Sequence, residues 1–81
     1  MKMTTRDKLQ EYLTAQLDYM ANKDFEVRMA VFQQCVGAVT FAMYNLAENS
    51  QEANEISAMW ENEWREEFEK ILYERGLTNC H

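Results

Sequence analysis

Proline is absent from this 81-residue chain, and glycine occurs only at positions 37 and 76. A fold of many β-strands needs a turn roughly every 8–12 residues, and glycine, proline or asparagine–glycine pairs usually form those turns. The chain has too few such residues for a multi-stranded sheet. Its apolar fraction of 47% and its ten aromatic residues are sufficient for a packed core. These features predict an all-α fold.

Apolar residues recur at helical spacing in three parts of the sequence. Each segment is preceded by residues of the kind that cap helix N-termini: Thr4 with Asp7 or Thr5 alone, then Asp24, then Asn49 or Ser50. Gly76 suits the left-handed conformation that commonly ends a helix. We therefore predict three helices and a frayed tail within one domain, at residues 4–21, 25–47, 51–75 and 77–81.

The two connections between these segments are only three or four residues long. Short links place neighbouring helices antiparallel, which predicts an up-down-up three-helix bundle that could form a homodimer. The second link, Glu48-Asn49-Ser50, contains neither glycine nor proline. An alternative is therefore a helical hairpin in which the second and third segments fuse into one helix and pack as a dimer.

The apolar residues of the second and third segments predict which sides of these helices are buried. In the third segment the stripe is Ile56, Trp60, Trp64, Phe68, Ile71 and Leu72. In the second segment it is wide, about half the helix circumference, and such a helix touches more than one neighbour. Its main stripe is Phe25, Met29, Phe32, Val36, Val39, Met43 and Leu46, and it is widened by Val27, Val31, Cys35, Ala38 and Ala42.

The other side of the second helix contains a second set of uncharged residues around Gly37. A glycine inside a helix costs about 1 kcal/mol relative to alanine, so a close contact at this position is expected to offset the cost. One interpretation is a self-association face, typical of a two-fold dimer. The other is that Gly37 lets the first or third helix pack closely within the chain. The candidate face is Ala30, Gln34, Gly37, Phe41 and Tyr44.

The chain has a net charge of −6, and residues 50–81 account for −5 of it. Glu61 with Arg65 and Glu66 with Lys70 have the favourable acid-first i,i+4 order, which is typical of a solvated helix face. An alternative is an anionic surface that imitates the DNA backbone and occupies a nucleic-acid-binding protein. Four glutamates without a clear basic partner would form it: Glu52, Glu55, Glu63 and Glu67.

Groups that carry out chemistry are few in the sequence. The only histidine is His81, no glycine-rich phosphate loop is present, and Cys35 lies in an apolar helix. We predict no catalytic, cofactor-binding or metal-binding residues and therefore no enzyme. We also expect no small-molecule substrate, no direct contact with nucleic acid and no membrane association. Two cysteines do not make a disulfide framework, which favours free thiols in the cytoplasm.

Together these features predict a small, acidic, cytoplasmic helical protein that acts by binding itself or another protein. The alternative function is the anionic decoy of a nucleic-acid-binding protein.

Overall fold

The computed structural model describes residues 3–79 of the chain, with side chains over residues 3–73. The described part contains no strand, and its helical segments join into three rods spanning residues 5–20, 25–46 and 50–79. The predicted all-α three-helix fold is thus confirmed. The segments are α1 (Thr5–Met20), α2 (Phe25–Phe41), α3 (Ser50–Met59) and α4 (Arg65–Asn79), with π-helical turns at Ala42–Leu46 and Trp60–Trp64.

All three rods begin at side-chain caps that the sequence predicted. The Thr4 hydroxyl accepts from the backbone N–H of Asp7 at 3.1 Å, and the Asp7 carboxylate accepts from the backbone of Thr4 at 3.3 Å. Asp24 and Asn49 cap α2 and α3, each accepting from the backbone N–H three residues later, at 3.0 and 2.9 Å. Each cap satisfies a donor that has no partner within its helix, and so fixes the start of the rod.

The second connection separates the second and third rods completely, so the fused-hairpin alternative is wrong. The backbone is extended at Ala47, with ψ of 137°, and at Asn49, with φ of −159° and ψ of 177°. The Glu52 carboxylate also accepts from the backbone N–H of Glu48 at 2.8 Å. Polar side chains that bond to nearby backbone compete with helix continuation, and they end the helix here without glycine or proline.

The rods pack in the predicted up-down-up order. Both α1 and α4 lie along α2, and α3 packs against the π-helical turn that follows α2. The molecule measures 47 × 22 × 17 Å. The third rod alone accounts for the long dimension, since its thirty residues rise about 45 Å at 1.5 Å per residue.

The core lies along one side of the second rod, at Val31, Cys35 and Val39. The stripe predicted for this helix is only partly correct: Val39 is buried and Met29, Phe32 and Met43 are partly buried, but Phe25, Val36 and Leu46 are exposed. The physical reason is that two neighbouring rods cover only part of a wide apolar arc. The third-rod stripe is confirmed, with Ile56, Trp60, Phe68 and Leu72 buried and Trp64 and Ile71 packed beside them.

The π-helical turns explain how a four-residue apolar spacing stays on one side of the third rod. Four residues advance about 400° in an α-helix, so four such steps drift by about 160°. In the turn Trp60–Trp64, the backbone N–H of Arg65 donates to the carbonyl of Trp60, five residues earlier. The extra residue reverses much of the drift and returns Phe68 and Leu72 to the core. The turn Ala42–Leu46 has the same bond, from Ala47 N to Ala42 O at 2.9 Å.

The predicted end of the third helix at residue 75 is wrong. The helix continues through Gly76 to Asn79, and none of the described glycines has a positive φ. Glycine inside a helix costs only about 1 kcal/mol, and no proline follows to stop the helix. Of the predicted frayed tail, residues 77–79 are helical, and residues 80–81 lie outside the described part.

Candidate self-association surface

The five residues predicted to form a self-association face lie together on the solvent side of the second rod. We call this set, Ala30, Gln34, Gly37, Phe41 and Tyr44, the outer face. All five are exposed, and the aromatic members strongly so: Phe41 by 56% and Tyr44 by 79%. Large apolar side chains at this exposure leave surface that burial against another molecule would remove from water.

Gly37 has open space around it. A Cβ built at this position meets no described heavy atom within 4 Å beyond its local helix backbone and chain neighbours. The interpretation that Gly37 admits the first or third helix is therefore wrong. Both of those helices pack on the opposite side of α2, around Val31, Cys35 and Val39. Packing within the chain thus leaves the cost of this glycine without compensation.

The five residues of the outer face carry no charge, while Glu26 lines one of the grooves beside it and Lys8 lines the other. Residues 29–47 contain no charged side chain, although 27% of the whole chain is charged. Thr40, at the edge of the face, donates its hydroxyl to the carbonyl of Val36 at 2.9 Å and so satisfies it within its own helix. A second copy approaching these five residues would meet uncharged side chains on the face itself, which limits like-charge repulsion between identical surfaces.

Two open grooves border the outer face on the side of α1. One has a volume of about 790 Å³ and lies between α1 and the first half of α2, where its lining includes Gln16, Tyr19, Glu26, Ala30 and Gln34. The other has a volume of about 380 Å³ and runs beside Phe41, Leu46 and the start of α1. The outer face is thus a ridge at Phe41 with a hollow next to Ala30.

The acidic face differs in detail from its prediction. Arg65 contacts both Glu61, at 3.0 Å, and Glu69, at 3.3 Å, which confirms the first predicted ion pair. Hydrogen bonding to Glu61, more than to Glu69, raises the pKa of the Arg65 guanidinium above its usual value. The second predicted pair is wrong, because Lys70 lies 4.0 Å from Glu67 rather than pairing with Glu66. Side-chain rotamers place the three-residue partner nearer than the four-residue one.

Of the four glutamates predicted to lack a clear basic partner, Glu67 has one in the described structure, and Glu52 and Glu55 bond to uncharged donors. Glu67 has Lys70, Glu52 accepts from backbone at the helix start, and Glu55 accepts from the Gln51 amide at 3.5 Å. Glu63 is exposed. More of these carboxylates make local contacts within the third rod and its start than the sequence indicated.

A buried arginine is the feature that sequence reasoning missed. Arg28 is 1% exposed, and its Nη1 donates to the carbonyl of Lys23 at 2.7 Å. Its Nε and Nη2 have no hydrogen-bond partner among the described residues. A signal was present, since Arg28 precedes Val31 by three and Cys35 by seven residues and so shares their side of the helix.

Cys35 lies fully buried in the core, as the sequence predicted. Burial raises the pKa of its thiol to about 11, and burial, followed by the nearby Cys35, raises the pKa of Tyr12. A thiol in such surroundings stays protonated and is a poor nucleophile. Over residues 3–73, whose side chains are described, no three histidine, cysteine or carboxylate side chains come together in a way that could hold a metal ion.

Comparison of the chain with models of known protein families, with curated proteins and with solved structures gives no match. Within the described residues, every helix is too short or too polar to cross a membrane. The outer face of α2 is thus the surface from which a function can be argued.

Proposed function

We propose that this protein is a self-association module, a small helical bundle that forms a homodimer through the outer face of α2. The observation that carries the proposal is Gly37, a helix-interior glycine with open space where a Cβ would stand. Close approach of a backbone from outside the chain would offset its cost. Phe41 and Tyr44 supply the aromatic anchors that interface centres commonly contain.

Charge distribution supports a second copy as the occupant. Two identical acidic chains repel each other unless their contact excludes their charged surfaces. The uncharged stretch 29–47 provides such a contact, because the excess acidic residues belong to the third rod. The dimer also suits a chain of this size, since a small domain buries a limited share of its apolar surface alone.

The mass of the protein in solution tests the proposal. At tens of micromolar, light scattering or sedimentation equilibrium is expected to give twice the 9.7 kDa mass of one chain. Gly37→Leu places a branched side chain on the outer face and is expected to yield monomers with unchanged helicity. Thr14→Leu, which adds the same side chain at an exposed site on α1, is the matched control and stays dimeric. Monomeric wild-type protein at this concentration contradicts the proposal.

The expected role is binding without chemistry, in a soluble cytoplasmic setting. The partner that the proposal names is the chain itself, and a second protein could dock on the dimer. The anionic decoy is the alternative, and Glu63 supports it best, because it is exposed and none of the described ion pairs includes it.

A further inference from the structure

The spacing of the outer face indicates how two copies would meet. Ala30, Gln34, Gly37, Phe41 and Tyr44 follow one another in steps of four, three, four and three residues. This is the heptad spacing of a helix–helix seam. Gly37 stands at its middle, with Ala30 seven residues before it and Tyr44 seven residues after it.

The two halves of the seam have opposite shapes. After Gly37 it presents the bulky and exposed Phe41 and Tyr44. Before Gly37 it presents the small Ala30 next to the groove lined by Gln16, Tyr19 and Gln34. In a parallel pair of α2 helices, the two bulky halves would face each other, and so would the two grooves. An antiparallel pair sets bulk against hollow at both ends.

We infer that the dimer is an antiparallel two-fold pair of α2 helices centred on Gly37, in which Phe41 of each copy occupies the groove beside Ala30 and Gln34 of the other. This inference rests on the proposed self-association and specifies its geometry. A two-fold axis at Gly37 places residue 41 of one copy opposite residue 33 of the other, level with that groove. It also places Ala30 opposite Tyr44.

The positions of these residues around α2 agree with the antiparallel pairing. Phe41 borders one groove with α1, and Ala30 and Gln34 border the other groove with α1, so all three lie on the α1 side of the outer face. An axis in the plane of the contact keeps the α1 side of one copy against the α1 side of the other.

Tyr19 makes the groove suitable for an aromatic guest. It is 53% exposed, and the Lys23 ammonium lies 4.8 Å from its ring centroid, which restrains the ring at the rim. Phe41 entering the groove gains contact with this ring, and aromatic pairs add to the energy of simple burial. The polar side chains of the groove are Gln16, Gln34 and the exposed Glu26, and they can stay hydrated at its edge.

Cysteine cross-linking distinguishes the geometry from the association itself. In a background with Cys80→Ser, copies carrying Ala30→Cys are mixed with copies carrying Tyr44→Cys and treated with a short bis-maleimide. Cys35 stays in place because its buried thiol does not react. The inference expects covalent dimers in the mixture and none from either variant alone. Copies with Thr14→Cys mixed with Ala30→Cys are the matched control and stay uncoupled.

The cross-linking and mass results together separate the geometry of the dimer from its existence. Cross-linking of Ala30→Cys alone, with a dimeric mass, shows a parallel pair and overturns the inference while the proposed function stands. A dimeric mass without cross-linking in the mixture also overturns the geometry. A monomeric mass overturns both. Phe41→Ala is expected to weaken the dimer at least tenfold, whereas Tyr73→Ala, which truncates a 52% exposed tyrosine on α4, leaves it unchanged. Equal effects from these two variants contradict the role given to Phe41.

Discussion

The guanidinium of Arg28 donates from Nη1 to the backbone carbonyl of Lys23 at 2.7 Å, across the connection between α1 and α2. Arg28 is almost completely buried, and the ring centroid of Phe25 lies 5.9 Å from its Cζ. One hydrogen bond and one aromatic face are limited compensation for removing a positive charge from water. Arg28 thus ties the connecting segment to the first turn of α2, at an expected cost in stability.

Replacing Arg28 with methionine is expected to leave the free energy of unfolding unchanged or to raise it by about 1–2 kcal/mol. Methionine fills most of the same volume and removes the uncompensated charge. Arg28→Ala removes the same charge but leaves a cavity, and is expected to be about 2–4 kcal/mol less stable than Arg28→Met. Urea unfolding at one protein concentration measures both. A methionine variant clearly weaker than wild type would show that the guanidinium contributes net stability.

Alkaline pH is expected to destabilise the fold through Cys35. Its folded pKa of about 11 lies above its ordinary value of 9.0, so the stabilising preference for the neutral thiol is fully present below pH 9. That stability is lost as the pH rises from 9 to about 11, and it amounts to about 3 kcal/mol. Unfolding curves across this range, with Cys80→Ser in all proteins, measure the loss.

The matched control for Cys35 is Cys35→Ala, which does not ionise and is expected to show a smaller decline over the same range. Tyr12 also has a raised pKa and contributes in the same direction, so Tyr12→Phe separates its share. Parallel pH profiles for the wild type and Cys35→Ala would refute the assignment to the thiol.

Deleting Asn62 is expected to be tolerated. This exposed residue lies in the π-helical turn Trp60–Trp64, and its removal converts the turn to regular α-helix while Phe68 and Leu72 keep their side. The expected change in unfolding free energy is below about 1 kcal/mol. Circular dichroism and thermal unfolding measure it.

Deleting Thr14, an exposed residue in the regular helix α1, is the comparison for Asn62. It rotates Leu17 and Met20 by about 100° relative to Leu13. Loss of the buried Met20 side chain alone is expected to cost about 2–5 kcal/mol. Similar losses of unfolding free energy for the two deletions would mean that the π-helical turn does not contain a removable extra residue.

The acidic alternative makes a separate prediction. If Glu63 and Glu67 imitate phosphates, the chain should bind an immobilised basic DNA-binding domain at low salt and release it at high salt. The double change Glu63→Lys and Glu67→Lys should abolish that binding with helicity intact. Glu11→Lys with Asp18→Lys alters the net charge equally on α1 and should preserve most of it. Equal losses from the two double variants point to net charge rather than to this face.

The N-terminal caps and the third-rod core were predictable because each depends on a short stretch of sequence. Thr4, Asp24 and Asn49 bond to backbone only three residues away. The centre of the second-rod core was not predictable in the same way. Nearly all of that helix is apolar, so which side is buried depends on where α1 and α4 pack.

The candidate site also combines features that could be predicted from the sequence with features that could not. Exposure of the outer face could be anticipated from its separation around the helix from the main apolar arc. The open space at Gly37 could not, because a glycine in sequence is equally consistent with a close neighbour or with none. The partial pairing of the acidic face depended on rotamers, which bring Lys70 to Glu67.

The residues that hold the fold together and the residues proposed for self-association lie on opposite sides of a single helix in this protein. Val31, Cys35 and Val39 hold the three rods together, while Gly37 and Phe41 face outward and contribute little to that core. The partner, affinity or orientation of the proposed dimer could therefore be changed by substituting a few outer-face residues. The hydrophobic interior that makes the chain fold would not have to be rebuilt.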